Sequence, residues 1–146
     1  MSTEANQGLL AYIESERQRI LDACTQCGRC LEVCHMRPYL PLETSNETAI
    51  VGQVLAVLAR APVSPDTPET KDALTWAQGC TASGVCVAAC PESVNPTMML
   101  RIARMTAFGG LGDPKLAHKP EDGDWFPRIR AFARTQLTES EQKEWM

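Results

Sequence analysis

The sequence predicts an all-α domain, and three observations predict it. Several segments carry apolar residues at helical spacing. No segment shows the apolar–polar alternation of a half-buried strand. The two groups of cysteines are separated by 45 residues between Cys34 and Cys80, enough chain for two helices.

The first helix is expected from Leu9 to Ala23, where Leu9, Leu10, Ile13, Ile20 and Leu21 are apolar and charges lie between them. The second starts at Ser45 or Asn46, either of which suits an N-cap, with Glu47 in the first turn. It runs through Ile50, Val51, Val54, Leu55 and Leu58 to about Arg60. Pro62, Pro65 and Pro68 make 61–68 a loop. The third helix is expected over Glu69–Gln78, with Pro68 near its start. Asn95-Pro96-Thr97 opens the fourth, in which Met98, Met99, Ile102, Met105 and Phe108 form a stripe that reads most simply as core. Gly109 and Gly110 end it.

After Gly112 the composition changes, so the chain divides into a domain over 1–112 and an extension over 113–146. Asp113–Asp124 is rich in Gly, Pro and charge and reads as a linker. Trp125–Gln136, with Arg128, Arg130 and Arg134, has the pattern of a basic amphipathic helix. The acidic end, Glu139–Glu144, reads as solvated. The extension is expected to pack on the domain or to reach a partner.

A chain of 146 residues with 44% hydrophobic residues can bury a core, and with only 5% aromatics that core is mostly aliphatic. A net charge of -4 disfavours nucleic acid as the partner, because phosphate binding needs a basic surface. Met1–Gly8 is polar and lacks the pattern of a leader, and the apolar run at Thr48–Ala59 is too short and interrupted to span a bilayer. A cytoplasmic protein without a membrane span is the expectation. Seven cysteines are an odd number, which suits bound metal better than a closed disulfide framework.

The first motif is Cys24-Thr-Gln-Cys27-Gly-Arg-Cys30-Leu-Glu-Val-Cys34, with the spacing C-x2-C-x2-C-x3-C. The second is Cys80-Thr-Ala-Ser83-Gly-Val-Cys86-Val-Ala-Ala-Cys90-Pro91. It aligns with the first at every cysteine but one, for Ser83 stands where the first motif has Cys27. Thiolates at such short intervals wrap three corners of an iron–sulfide cube and point backbone N–H groups at its sulfurs. In proteins with two clusters the fourth cysteine ligates the other cluster. Cys24, Cys27, Cys30 and Cys90 are therefore expected to hold one cluster, and Cys34, Cys80 and Cys86 the other. Four thiolates suit a 4Fe–4S cluster. Three suit a 3Fe–4S cluster, the alternative being a second 4Fe–4S whose fourth iron takes the Ser83 oxygen, water or a substrate. Structural zinc needs four tetrahedral ligands, which the first motif alone could supply, leaving the matching second motif without a use.

Cys24–Cys34 and Cys80–Thr97 resemble the cluster-binding motifs of the helical two-cluster ferredoxin domain. That domain forms the C-type subunit of heterodisulfide reductases and the C-terminal half of the iron–sulfur subunits of succinate dehydrogenase and fumarate reductase. The run Cys-Thr-Gln-Cys-Gly-Arg-Cys is most similar to the heterodisulfide reductase branch. Ser83 in place of a cysteine is similar to the 3Fe–4S motif of succinate dehydrogenase. The resemblance covers roughly residues 8–110. It implies an α-helical ferredoxin fold and a non-catalytic electron-transfer subunit of an oxidoreductase complex. The implied partners are a heterodisulfide reductase B-like subunit with CCG domains and a flavoprotein subunit.

His35 follows Cys34 where these families usually have proline. An imidazole there is able to tune a cluster, although a partly exposed histidine without a special role is the simpler reading. His118 falls in the linker and reads as a surface residue. No catalytic constellation is legible. The opposing possibility is that the open corner at Ser83 binds a small molecule, which makes the chain a catalyst or a sensor.

Overall fold

The computed structural model of the chain describes residues 3–64, 66–109 and 137–145, and all the regular structure among them is helical. The chain divides into two compact units, Met1–Gly112 and Asp113–Met146. The first contains α1 (Thr3–Ala23), α2 (Arg29–Glu32), a 3-10 turn (Arg37–Tyr39), α3 (Glu47–Leu58), α4 (Pro68–Gly79), α5 (Val85–Ala89) and α6 (Pro96–Phe108). The second contains α7 (Glu139–Trp145).

Side-chain caps set where three of these helices begin. Asn46 accepts the Ala49 N–H at 3.0 Å to start α3, and Asn95 accepts the Met98 N–H at 3.0 Å to start α6. Thr67 accepts from Thr70 N at the head of α4. Pro68 and Pro96 then occupy the first helical positions, where the N–H that proline lacks has no intrahelical partner anyway. Gly109 ends α6 with φ of +73°, as the Gly109-Gly110 pair suggests.

Helices α3, α4 and α6 pack on one another, and α1 lies against α3 and α6. Their common core holds Ile50, Val54 and Leu58 of α3, Ala73, Trp76 and Ala77 of α4, and Met99, Leu100, Ile102 and Ala103 of α6. The stripe expected on α6 is therefore core at Met99 and Ile102, half-buried at Met98 and Met105, and exposed at its end, Phe108. Helix α1 departs more from its pattern. It begins at Thr3, before any apolar residue, and Leu9 and Leu10 are 40% and 47% exposed while Ile20 is fully buried. Only the C-terminal half of α1 contributes to the core, so its first apolar residues signal helix without signalling burial.

Two polar side chains enter the core. Asp72 is 1% exposed and accepts the Glu43 and Thr44 N–H groups, each at 2.8 Å. It thereby fixes the loop that leads from the first cysteine motif into α3. Thr70 donates to Gln53 Oε1 at 3.0 Å and accepts from Thr67 Oγ1 at 2.7 Å, joining α3 to the cap of α4.

The linker expected over 113–124, the helix expected over 125–136 and His118 lie outside the described residues. The acidic end forms α7, whose Glu139, Glu141 and Glu144 are exposed. Thr138 and Glu141 satisfy each other's backbone N–H groups, at 3.5 and 2.8 Å, in a capping box.

Replacing Asp72 tests the loop anchor. Asp72→Ala removes the acceptor of two part-buried N–H groups and is expected to lower stability by about 2 kcal/mol, with a smaller loss for Asp72→Asn, which keeps an acceptor oxygen. Anaerobic urea unfolding measures both.

Candidate metal centre

The two cysteine loops, 24–30 and 80–86, take left-handed conformations at the same two positions. Gln26 and Ala82 occupy equivalent positions with φ of +57° and +58°, and Gly28 and Gly84 follow with +80° and +79°. Left-handed residues of this kind turn consecutive N–H groups toward the inside of a loop. Ala82 N donates to Cys80 Sγ at 3.4 Å, and the N–H of Gln26 acts on Cys24 in the same way. Exposure follows the same sequence in both loops. Cys24 and Cys80 are half-buried, Cys27 and Ser83 exposed, Cys30 and Cys86 buried, and Cys34 and Cys90 half-buried.

The loops differ in what surrounds them. A Cβ on Gly28 would stand 2.8 Å from Glu47 Cβ and 3.2 Å from Thr48 N, because this loop packs against the start of α3. A Cβ on Gly84 would meet nothing within 4 Å. The first glycine answers both a steric and a conformational demand, the second a conformational one only.

The short helices α2 and α5 pack on each other, and this contact carries the fourth cysteine of each motif across. One cavity is lined by Cys24, Cys27 and Cys30 together with Cys90 of the second motif. A second is lined by Cys80 and Cys86 together with Cys34 of the first. The seven cysteines are thus collected as four and three.

Burial dominates the chemistry of the inner thiols. It pushes Cys30 up to about 12, with Cys24 and Cys86 adding repulsion. It raises Cys24, whose neighbours Cys90 and Cys27 add to the effect. It raises Cys86 as well, against an opposing hydrogen bond with Thr97, whose Oγ1 stands 3.7 Å from Sγ. Such thiols become ligands when a cation displaces their protons.

His35 is an exposed residue placed at the second cavity, not away from it. Its Nδ1 is 3.2 Å from Ser83 Oγ and its Nε2 3.3 Å from Thr81 Oγ1. The residue that replaces proline and the residue that replaces cysteine therefore touch. Trp76 of α4 also lines this cavity, which sequence reasoning missed. Its indole Nε1 is buried and has no hydrogen-bond partner among the described residues. An N–H left so costs about 1–3 kcal/mol, which suits a wall whose acceptor is a bound group. The first cavity has Thr25, Arg29 and Glu92 on its wall.

Among the described residues no three His, Cys, Asp or Glu side chains converge closely enough to hold a single metal ion. The thiols stand around the two cavities, an arrangement that fits soft, polynuclear iron–sulfide groups better than a tetrahedral zinc ion. A family model described as a 4Fe-4S dicluster domain matches residues 23–95, half of the chain. The chain belongs to that family. Members are defined by two clusters in one domain, and the match spans both cysteine motifs and the α3 and α4 helices between them. This chain accordingly binds 4Fe–4S and serves in iron–sulfur electron transfer. Searches of curated proteins and of solved structures returned no match. No helix among the described residues is long and apolar enough to cross a membrane.

The unequal surroundings of the two glycines give a direct comparison. Gly84→Ala is expected to cost about 1–2 kcal/mol, for the left-handed conformation alone. Gly28→Ala is expected to cost more and to release iron from the first cavity, because its Cβ meets the backbone of α3. Anaerobic thermal unfolding and iron retention after desalting measure the difference.

Proposed function

We propose that this chain is an electron-transfer subunit of a larger redox complex of the heterodisulfide reductase type, with a 4Fe–4S cluster on Cys24, Cys27, Cys30 and Cys90 and a 3Fe–4S cluster on Cys34, Cys80 and Cys86. The observation that carries the reading is the lining of the two cavities, where each motif lends its fourth cysteine to the other. Ser83 supports the unequal pair, because it holds the position of Cys27 on an equivalent backbone without a thiol.

Bound clusters supply one-electron transfer, and the residues of the chain supply the rest. Buried Cys30 and Cys86 and the apolar side chains Val51, Val94, Met99 and Leu100 keep water from the inner walls. The left-handed residues hold N–H groups toward the sulfurs, which favours the more negative, reduced state. The partner in this reading is a B-like subunit with CCG domains, with a flavoprotein subunit in the same complex. The unit Asp113–Met146 then serves as an arm toward that partner, and the complex operates in the cytoplasm.

A second reading has a specific observation in its favour. Ser83 Oγ and His35 Nδ1, 3.2 Å apart on the second cavity, form a polar corner suited to an iron that carries no thiolate. In that case the second centre is a 4Fe–4S cluster with one open iron, used for substrate binding or sensing.

Anaerobic purification followed by EPR separates the two. The 3Fe–4S reading predicts a signal from that cluster in the oxidised protein, a 4Fe–4S signal in the reduced protein, and about seven iron atoms per chain. Bound zinc without sulfide overturns both readings. Ser83→Cys is expected to convert the second centre to 4Fe–4S and to move its midpoint potential downward, and an unchanged spectrum counts against the ligand assignment.

A further inference from the structure

We infer that Trp76 donates its indole N–H to a sulfur of the cluster in the second cavity and raises that cluster's reduction potential above the value its cysteine ligands alone would set. The inference rests on the proposed second cluster and goes beyond it by naming a residue that tunes it.

Two independent observations meet at Trp76. The side chain is fully buried, and its Nε1 has no partner among the described residues. The same side chain lines the cavity that collects Cys34, Cys80 and Cys86. Buried donors in folded proteins are almost always paired, so an orphan beside a cofactor cavity points to the cofactor as its acceptor. Thiolate and sulfide sulfurs are acceptors for such an N–H. The hydrogen bond is stronger in the one-electron-reduced state, which carries one more negative charge, and it therefore makes that state easier to reach.

The position of Trp76 in the fold supports a fixed geometry. It lies in the last turn of α4, four residues before Cys80, and is held in the core shared by α3, α4 and α6. A side chain so enclosed points its N–H in one direction, and no reorientation is needed when the cluster changes charge. The other polar groups on this cavity are hydroxyls and an imidazole near the exposed rim: Thr81, Ser83 and His35, which engage one another. Thr97 is engaged with Cys86. Trp76 alone among them is left with a buried, unused donor. The first cavity has no tryptophan on its wall, its polar lining being Thr25, Arg29 and Glu92.

The test is an anaerobic redox titration, followed by EPR, of the full chain and of Trp76→Phe. The expected result is a negative shift of the second cluster's midpoint, with the first cluster's midpoint, both spectral types and the iron content unchanged. A second-cluster midpoint that stays in place while its signal is intact overturns the assignment. Absence of iron–sulfur signals from the unsubstituted chain is a different failure, that of the cluster reading itself.

Since removing a core indole is able to block assembly, a second measurement keeps the indole. The chain has three tryptophans, so Trp125→Phe/Trp145→Phe protein labelled with 15N-tryptophan has Trp76 as its one indole. Pulsed EPR is expected to show a 15N coupling to the second cluster, exchangeable-proton coupling included. The absence of any 15N coupling overturns the inference.

Discussion

Neither cysteine loop lines its cavity alone. The packing of α2 on α5 takes Cys34 to the cavity of the second loop and Cys90 to that of the first, and the remainder of the domain serves to keep that crossing in place. The constraint is chemical as well as geometric. Thiols such as Cys30 are buried deeply enough to resist ionisation, so the walls favour their charged form only with a cationic group between them. Binding of such a group and ionisation of these thiols are accordingly coupled. The crossing makes the two centres partners in this coupling, because each motif contributes to both.

The helices outside the motifs supply the rigidity the loops lack. Helices α3, α4 and α6 form a core of their own through Ile50, Leu58, Trp76 and Ile102, and the motifs are attached to its edges. The first loop is fitted against the start of α3 at Gly28, and the segment after it is tied to α4 through Asp72. The second loop leaves α4 at Gly79 and enters α6 through the Asn95 cap, with Val94 buried between. A loop framed at both ends by capped helices holds its left-handed residues without needing a glycine at every one of them, as Gln26 and Ala82 show.

Much of this was legible beforehand, for identifiable reasons. Asn46, Pro68 and Asn95 announce helix starts because a cap is a local hydrogen bond between residues three apart, and local chemistry is written in local sequence. The grouping of the cysteines was legible because spacing within a motif dictates which thiols share a loop. Burial was not legible in the same way. Leu9 and Leu10 look like Ile20 in the pattern of α1, yet only Ile20 meets the core, since burial depends on which neighbours the fold brings. Trp76 gave no signal of a polar role, because an indole reads as core until its N–H is seen without a partner. The contact of His35 with Ser83 joins residues far apart in the chain, so only the crossing of the motifs reveals it. The solvated acidic end expected over Glu139–Glu144 is exposed at Glu139, Glu141 and Glu144, and the Thr138–Glu141 capping box that heads α7 is written in its Thr-Glu-Ser-Glu run.

The matched left-handed turns of the two loops narrow the difference at the ligand position itself to one residue. Position 83 is exposed like Cys27, with a left-handed residue before it and a left-handed glycine after it, as at Gln26 and Gly28. The second loop offers the same position with a different occupant. Serine and cysteine differ by a single atom at the γ position, oxygen for sulfur. An asymmetry between two cofactors, and with it a preferred resting place for an electron, is in this fold within reach of one such exchange.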